Sequence, residues 1–526
     1  MSAIEQIEQE RLDAQSHLDA EKSQAERNRL GQFATPTALA VDILRYAKTL
    51  LSERGKVRFL DPALGTGSFY SALVRVFSQS RVDAALGFEI DPQFARRAQA
   101  LWKDTPLKVV PDDFTKAVPP ENDTDKATLI ICNPPYVRHH HLAREDKIRL
   151  HHLAARAAGV KLSGLAGLYS HFLCIAHEWM ARDGLAGWLI PSEFMDVKYG
   201  MAVKSYLLGK VTLLRIHRFD PADVQFDDAL VSSAVVWFRN APPPEGHTVE
   251  FTYGGTLLEP CLSRKVAADA LRHSPKWTKY PMATEAAAAK RTGPVLADLF
   301  AIKRGIATGA NNFFILTPDK AKELDLPPEF LKPILPSPRY VNVAEIPADS
   351  SGNPLIERRL LLLDCDLPPD EVREKHLALW AYLQTGAKAG IDKGYLCTHR
   401  SPWYAQEDRP PAMFLCTYMG RHGKESRGPF RFLLNHSKAT AANTYLLLYP
   451  RDRLAKILRE RPEAAVAVWK ALTSIPVEAI MGEGRIYGGG LYKIEPRELA
   501  NAPAESVLNA VEGLIESPGE QMILFE

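Results

Sequence analysis

Five short apolar runs alternate with helical patterns between residues 31 and 240, and this alternation limits the fold more than any other feature of the chain. The runs are the candidate strands 57–60, 84–89, 108–110, 128–132 and 186–190. Short apolar segments that alternate with helices are typical of a parallel sheet with helices on both of its faces. The sequence therefore predicts an α/β domain of the Rossmann-like kind.

The rest of the chain is divided around this domain. Residues 1–30 are predicted to form a charged, solvated helix with a thin apolar stripe. Three consecutive prolines at 242–244 end the α/β pattern, so residues 241–299 are interpreted as a connecting segment that follows a domain at 31–240. From residue 300 to residue 526 the pattern is irregular and rich in proline and aromatic residues, which favours a separate α+β domain.

Composition excludes several classes of protein. No stretch approaches the roughly 18 apolar residues of a membrane span, and the polar N-terminus is unlike a secretory signal. Six scattered cysteines without a CxxC pair indicate a reducing compartment, so we expect a cytoplasmic protein. His139–His141 lacks the regular ligand spacing of a zinc site, and we expect no metal. Because the net charge is only +2, contact with nucleic acid would depend on local basic clusters.

Glycines and acidic residues follow the first candidate strands, at the positions where ligands bind in an open parallel sheet. The first strand leads into a turn that contains Asp61, Ala63, Gly65 and Gly67, and its glycines let the backbone approach a ligand closely. Glu89 stands at the end of the second strand, where a carboxylate can accept hydrogen bonds from ribose hydroxyls. This order of residues predicts a nucleoside site.

An acidic and an aromatic residue, Asp113 and Phe114, follow the third strand. The carboxylate suits the amine of an adenine, and the aromatic ring suits the face of the base. The glycine pattern is GxG rather than GxGxxG, so it lacks the additional glycine that seats a pyrophosphate. The predicted ligand is therefore an adenosine that carries no phosphate.

The fourth strand ends in Asn133-Pro134-Pro135-Tyr136, the most informative segment of the chain. The lone pair of an adenine exocyclic amine is delocalised into the ring, so this nitrogen is a poor nucleophile. The side-chain oxygen of Asn133 and the carbonyl of Pro134 can accept hydrogen bonds from the amine and free its lone pair, while Tyr136 offers a face for stacking. The tetrapeptide predicts direct methyl transfer from a sulfonium donor, driven by positioning and electrostatics.

In this order, these segments resemble the gamma-class adenine-specific DNA methyltransferases of restriction–modification systems, the group that includes the TaqI methyltransferase. Gly31–Pro36 looks like the first motif of that class, and the resemblance implies that Thr35 contacts the methionine part of S-adenosylmethionine. Ala34 departs from the motif, since relatives often carry a larger aromatic residue there. Tyr199 falls near the second stacking aromatic of the family, across an alignment gap.

The resemblance implies a class I S-adenosylmethionine-dependent methyltransferase domain followed by an α+β target-recognition domain. The implied reaction is methylation of the N6 amine of an adenine flipped out of double-stranded DNA at a short specific sequence, which protects host DNA. Residues 1–30 are too few for a fused nuclease, so a cognate restriction endonuclease would be a separate partner. The basic loop 418–431 is the candidate for contact with DNA, through these residues: Arg421, Lys424, Arg427 and Arg431.

Other functions stay open at this stage. Cytosine-N4 methylation is the nearest alternative, although such enzymes more often carry serine in place of Asn133. Methylation of RNA or of protein glutamine would use a similar tetrapeptide, but glutamine methyltransferases are much shorter than this chain. A DNA-binding specificity module without catalysis would require a degraded cofactor pocket, and every expected pocket residue is present.

Overall fold

The computed structural model describes residues 3–23, 26–27, 30–219, 233–281, 293–421, 428–487 and 491–510. The chain forms two compact units, one of residues 1–289 with 487–489 and the other of residues 290–486 with 490–526. The predicted α/β domain lies entirely in the first unit.

One sheet runs through the first unit. Its strands are β1 Val57–Asp61, β2 Val82–Phe88, β3 Leu107–Val110, β4 Ala127–Cys132, β5 Met180–Pro191, β6 Thr212–Arg218, β7 Ser233–Arg239, β8 Thr248–Gly255 and β9 Pro260–Ala267. Among the described residues the strand order is β3-β2-β1-β4-β5-β7-β6-β8-β9. β1 to β5 are the five strands expected from the sequence, and they pair in parallel, which confirms the predicted sheet. β7 is antiparallel to both β5 and β6.

Apolar side chains cover both faces of this sheet. Successive residues of β1 point into different buried clusters, with Phe59 in one and Leu60 in the other, as the two-residue period of a strand requires. The helices of the unit are α1 Ala3–Ala20, α2 Thr37–Leu50, α3 Ser68–Val76, α4 Pro92–Leu101, α5 Arg144–Ala158, α6 Leu168–Ile175, α7 Met201–Gly209 and α8 Ala268–Arg272. α3 and α4 lie between successive strands of the sheet, and Asp91 caps α4 by accepting a hydrogen bond from the Gln93 amide at 2.9 Å.

Two strands lie where the sequence predicted a connecting segment. β8 and β9 fall within residues 241–299 and extend the sheet beyond β6. The prolines at 242–244 lie in the loop between β7 and β8, so they end a strand rather than a domain. The boundary predicted at residue 240 is therefore corrected, because the sheet continues to residue 267.

The N-terminal helix α1 is formed as predicted, but it is not solvated. Its apolar residues Ile4 and Leu12 are 39% and 40% exposed, whereas the charged residues Glu8 and Arg11 are 3% and 1% exposed. The face that packs against the domain thus combines the buried charges of Glu8 and Arg11 with Ala14, which is 5% exposed, and with Ile7, which packs against the core. A prediction based on hydrophobic periodicity could not detect the polar part of this face.

The second unit is an α+β domain, as predicted. Its strands are β10 Phe300–Arg304, β11 Ile315–Leu316, β12 Leu331–Leu335, β13 Glu345–Ile346, β14 Leu360–Leu363, β15 Phe414–Thr417, β16 Met419–Arg421, β17 Phe432–Asn435, β18 Thr440–Ala441, β19 Tyr445–Pro450, β20 Arg485–Tyr487 and β21 Leu491–Lys493. Within the described ranges they form the sheets β10-β19-β15-β17-β13, β11-β14-β12-β18 and β16-β21-β20. The helices are α9 Leu296–Leu299, α10 Asn311–Phe314, α11 Pro318–Glu323, α12 Pro369–Lys375, α13 Leu377–Lys388, α14 Asp452–Glu460, α15 Ala464–Thr473, α16 Val477–Glu483, α17 Pro496–Leu499 and α18 Glu505–Ala510.

In the part of the chain that the structure describes, no single helix combines the length and the apolar composition of a membrane span. The helices α15 and α16 meet both criteria only when they are joined, and they are bent by 73° at the break between them.

Candidate active site

A cavity of about 820 Å³ lies at the carboxyl edge of the parallel strands of the first unit. This volume is within the usual range of small-molecule sites, about 300–1,000 Å³. The cavity is lined by eight of the residues selected from the sequence: Thr35, Asp61, Ala63, Gly65, Glu89, Asp113, Phe114 and Asn133. The loops after β1, β2, β3 and β4 thus deliver the predicted pocket residues to one place, because the carboxyl ends of parallel strands share an edge.

Two glycines shape the turn after β1. Gly65 and Gly67 have φ angles of 59° and 94°, which L side chains rarely adopt. The indole N–H of Trp102 donates to the Thr66 carbonyl oxygen at 2.9 Å, and a Cβ at position 67 would lie 2.5 Å from that indole nitrogen. Gly67 does not line the cavity; it lies behind the turn, where its lack of a side chain admits Trp102.

Asp61 has one oxygen satisfied and one free. Its Oδ1 accepts a hydrogen bond from the Ala63 amide at 3.1 Å, whereas its buried Oδ2 has no partner among the described residues. Burial raises the pKa of this carboxyl group to about 8. A buried oxygen without a donor is costly, so the site suits a ligand that brings a donor, and above all a cationic one.

Glu89 is fixed by the backbone at both of its oxygens. They accept hydrogen bonds from the Gly65 and Asp91 amides, each at 2.8 Å, and burial raises the pKa of the carboxyl group. Each oxygen keeps a second lone pair for a hydroxyl group of a ligand. The next residue, Ile90, lines the cavity and is 67% exposed, so it offers an apolar face that the sequence did not reveal.

Asp113 and Phe114 contribute in different ways. Asp113 Oδ1 accepts from the amide and the hydroxyl of Thr115 at 2.9 and 2.8 Å, while Oδ2 lies 3.7 Å from the nearer guanidinium nitrogen of Arg149. The ring of Phe114 is 1% exposed and packs edge-on against Phe88, with 5.4 Å between ring centroids. Phe114 therefore forms part of the cavity floor and is anchored in the core.

The side-chain amide of Asn133 is oriented by the segment that precedes α2. Its Nδ2 donates to the Phe33 carbonyl oxygen at 3.0 Å and to Thr35 Oγ1 at 3.1 Å. Because a carbonyl oxygen can only accept, the amide nitrogen must face Phe33 and Oδ1 must point the other way. No described residue donates a hydrogen bond to Asn133 Oδ1 or to the Pro134 carbonyl oxygen, so neither oxygen is committed within that part of the chain.

Gly31 and Tyr136 join the same segment to the other end of the tetrapeptide. The Tyr136 amide donates to the Gly31 carbonyl oxygen at 3.3 Å, and a Cβ at position 31 would lie 2.4 Å from the Tyr136 nitrogen. The phenol of Tyr136 donates to the Leu189 carbonyl oxygen at 3.0 Å, and its ring lies 5.9 Å from that of Phe33. Tyr136 is 9% exposed and burial raises its pKa, so it is a fixed neutral ring.

Tyr199 lies outside the residues that line the cavity, as do Pro134 and Tyr136. It is in a short 3₁₀ turn, Lys198–Gly200, and its phenol donates to a carboxylate oxygen of Glu193. Burial and the neighbouring Tyr169 and Glu193 raise its pKa. Its stacking role stays a prediction.

Two cavity residues, Gln15 and Asp19, belong to α1, a segment that the sequence did not assign to the site. His140 and His141, in a 3₁₀ turn shortly after the tetrapeptide, also line the cavity. In the described ranges no group of three or more His, Cys, Asp or Glu side chains could hold a metal ion. Only tertiary structure brings Gln15 and Asp19 to the cavity, so no local signal marks them.

The predicted DNA-contact loop belongs to the second unit. Its flanking aromatics, Tyr418 and Phe430, are 3% and 8% exposed and form part of the core, so they are not free to stack on bases. Arg431 donates to the carbonyl oxygens of Val341 and Pro338 at 3.0 and 2.7 Å, and it thereby braces a neighbouring turn. Arg421 is exposed at the end of β16. Lys424 and Arg427 lie outside the described residues.

Together, the strand order and the cavity at the carboxyl edge define a Rossmann-like α/β domain with a small-molecule site, followed along the chain by an α+β unit. Comparison with known proteins refines this class. The family model described as Eco57I restriction-modification methylase matches residues 84–225, and the model described as the C-terminal domain of the Type II methyltransferase M.Eco57I matches residues 274–518. Both models describe methyltransferases of restriction-modification systems, and this chain is similar to them over those two segments.

Similarity to individual proteins extends along most of the chain. The Type II methyltransferase M.XamI of Xanthomonas campestris pv. amaranthicola is 29% identical over 496 residues, which are 91% of this chain and 86% of that protein. M.AccI of Acinetobacter calcoaceticus is 25% identical over 501 residues, or 90% and 85% of the two chains. The Type IIL restriction-modification enzyme MmeI, solved in complex with DNA, shares the fold with a TM-score of 0.51 at 14% identity, over 92% of this chain and 72% of that one.

Proposed function

We propose that the protein transfers a methyl group from S-adenosylmethionine to the N6 amine of an adenine in double-stranded DNA, as a gamma-class, TaqI-like enzyme. The observation that carries this proposal is the orientation of Asn133. Its amide nitrogen is held by Phe33 and Thr35, so its oxygen is free at the edge of the cavity. A free acceptor at this edge is what an exocyclic amine requires.

The residues of the cavity fit S-adenosylmethionine. The unpaired Oδ2 of buried Asp61 suits the methionine ammonium group, and Glu89 retains lone pairs for ribose hydroxyls. Asp113 Oδ2 suits the adenine amine, and Ile90 offers an apolar contact for the ring. When bound, the cofactor supplies a methyl group already activated by a sulfonium centre. Protein groups therefore need only to orient the two reactants.

Asn133 and Pro134 would act on the target nitrogen. Their oxygens accept hydrogen bonds from the two N–H groups of the amine, which favours a pyramidal nitrogen with a lone pair free to attack; the methylated nitrogen then loses one proton to solvent. Tyr136 would hold the base by stacking, a contact worth about 1–3 kcal/mol. Its phenol is tied to the Leu189 carbonyl, so the ring plane is fixed before the base arrives. Both acceptors are neutral and preorganised, which is the usual source of large electrostatic effects in enzymes.

A base stacked in a duplex cannot reach Asn133, so the target adenine would be flipped out at a cost of a few kcal/mol. The second unit would offset this cost by binding phosphates and by reading neighbouring bases. Arg421 remains a candidate for phosphate contact, and Arg431 would act through the turn that it braces. In a host cell, this methylation would protect DNA from a cognate endonuclease.

Incubation with labelled S-adenosylmethionine and duplex DNA, followed by digestion and nucleoside analysis, tests the proposal. We expect label in N6-methyl-2′-deoxyadenosine. Asn133→Ala should lower turnover by at least on the order of 10²–10³-fold, the range for loss of one preorganised catalytic group. Asn122→Ala, an exposed position before β4, is the matched control and should retain full activity.

The same assay separates the alternatives. Label in N4-methylcytosine would overturn the adenine assignment, but DNA would still be the substrate. Label only in RNA or in protein would overturn the DNA assignment. Binding of S-adenosylmethionine and DNA without any transfer would identify a specificity module.

A further inference from the structure

The inner face of the helix α1 carries a polar stripe beside the cofactor cavity. Glu8, Arg11, Gln15 and Asp19 recur at helical spacing along its inner face, and Lys22 continues the stripe beyond the end of the helix. Gln15 and Asp19 line the cavity. The helix therefore contributes both to the wall of the cavity and to the contacts behind it.

The stripe contacts three of the four segments that carry predicted cofactor residues; the segment of Asp113 and Phe114 is the fourth. Arg11 donates to Thr66 Oγ1 at 3.2 Å, between Gly65 and Gly67, and to Thr37 Oγ1 at 3.2 Å, two residues after Thr35. Lys22 forms an ion pair with Asp91, two residues after Glu89. Three separate cofactor segments are thus fastened to one helix.

These contacts are buried and directional. Arg11 donates to both oxygens of Glu8, at 2.8 and 2.7 Å, and Glu8 also accepts from the Thr37 and Ser71 hydroxyls. A buried ion pair of this kind supplies little net stability, but losing one partner is expensive, so it fixes a geometry rather than strengthening a core. The Thr66 hydroxyl donates to Gln15 Oε1 at 2.8 Å.

A relay extends from this loop contact to the cavity wall. Gln15 Nε2 donates to Asp19 Oδ2 at 3.0 Å, so the chain of hydrogen bonds runs from Arg11 through Thr66 and Gln15 to Asp19. A ligand that touches Asp19 or the Gly65–Gly67 turn would therefore act on the docking of α1.

We propose that α1 is a positioning element of the cofactor site: its polar stripe holds the three cofactor segments in place, and cofactor binding in turn stabilises the docked helix. This inference rests on the proposed function, since it assumes that S-adenosylmethionine occupies the cavity. The positioning residues are Arg11 and Gln15, and neither is assigned a contact with the reacting atoms.

Calorimetry on the full chain tests the first half of the proposal. Gln15→Ala removes the relay and should weaken binding of S-adenosylmethionine several-fold, and Arg11→Met should weaken it by about tenfold or more, as expected for loss of hydrogen bonds to a charged group. In steady-state assays the KM for S-adenosylmethionine should rise more than kcat falls. Glu10→Ala, on the exposed face of α1, is the matched control and should match the wild type.

Arg11→Met alone leaves the buried charge of Glu8 without its partner, and the protein could fail to fold for that reason. The double variant Glu8→Gln/Arg11→Met removes both buried charges together and so serves as the control for misfolding. Hydrogen exchange tests the second half: amides of residues 3–20 should exchange several-fold more slowly with S-adenosylmethionine, and this protection should disappear in Gln15→Ala. The inference would be overturned if all three stripe variants bound S-adenosylmethionine with wild-type affinity. It would also be overturned if the rate of amide hydrogen exchange in α1 were the same with and without S-adenosylmethionine. If the wild type binds no S-adenosylmethionine, the proposed function itself fails.

Discussion

The pKa of Asp61 makes binding of S-adenosylmethionine dependent on pH in a predictable direction. Burial raises this pKa to about 8, so below that value the free protein keeps the carboxyl group protonated. A cationic ammonium group favours the ionised form. Binding must therefore expel a proton, and the affinity should rise as the pH rises toward 8.

The size of the effect follows from the pKa. At pH 7, one unit below a pKa of about 8, roughly one molecule in ten carries an ionised Asp61. Ionising the carboxyl group therefore takes about 1.4 kcal/mol from the free energy of binding. At pH 6 the cost is about twice as large. The dissociation constant should therefore fall about tenfold between pH 6 and pH 7, and binding at pH 7 should release close to one proton. The ligand stays cationic in this range, since an α-amino group titrates near 7.7–8.0.

Calorimetry at pH 6.0, 6.5 and 7.0, in buffers of different ionisation enthalpy, measures both quantities. Asp61→Asn should bind more weakly at pH 7 and lose most of the pH dependence. Glu89→Gln should retain much of the pH dependence of binding, although burial also raises the Glu89 pKa. Asp83→Asn, an exposed position on β2, is the control. A dissociation constant that is flat from pH 6 to pH 7 in the wild type, or a slope unchanged in Asp61→Asn, would refute this account.

Three further predictions concern the same domain. Asp113→Ala should raise the dissociation constant for S-adenosylmethionine at least tenfold and change DNA affinity little; equal losses in calorimetry and in a DNA-binding assay would count against the adenine-amine role. Gly67→Ala should destabilise the fold by about 1–3 kcal/mol in urea unfolding, because φ is 94° and the Cβ would meet Trp102, whereas Gly65→Ala, with open space, should cost less. Glu8 has its pKa lowered to about 2, so its contribution to stability is present above pH 4.5 and is lost as the pH falls toward 2. The difference in unfolding free energy between wild type and Glu8→Gln should therefore shrink between pH 6 and pH 3, and a constant difference would contradict this assignment.

Much of the first unit could be predicted because its signals are local. Each strand from β1 to β5 contains a short apolar run. The residues at the carboxyl ends of these parallel strands lie at one edge of the sheet, independent of the conformation of the loops. Asp61, Glu89 and Asp113 were selected from their positions and residue types, and all three line the cavity. β8 and β9 were missed because the prolines at 242–244 are strong loop signals, and a loop signal does not tell a strand end from a domain end.

The features that escaped prediction depend on tertiary contacts. α1 buries Glu8 and Arg11, and hydrophobic periodicity registers only apolar faces. The orientation of the Asn133 amide depends on Phe33 and Thr35, which precede it by about a hundred residues. In the second unit many strands have only two to four residues, too few for a two-residue period to emerge.

The two acceptors that hold the Asn133 nitrogen also limit which residues can replace it. A serine would keep an oxygen, but its short side chain could not donate to both the Phe33 carbonyl and the Thr35 hydroxyl. A change of residue type at position 133 would thus leave at least one upstream oxygen without its present donor.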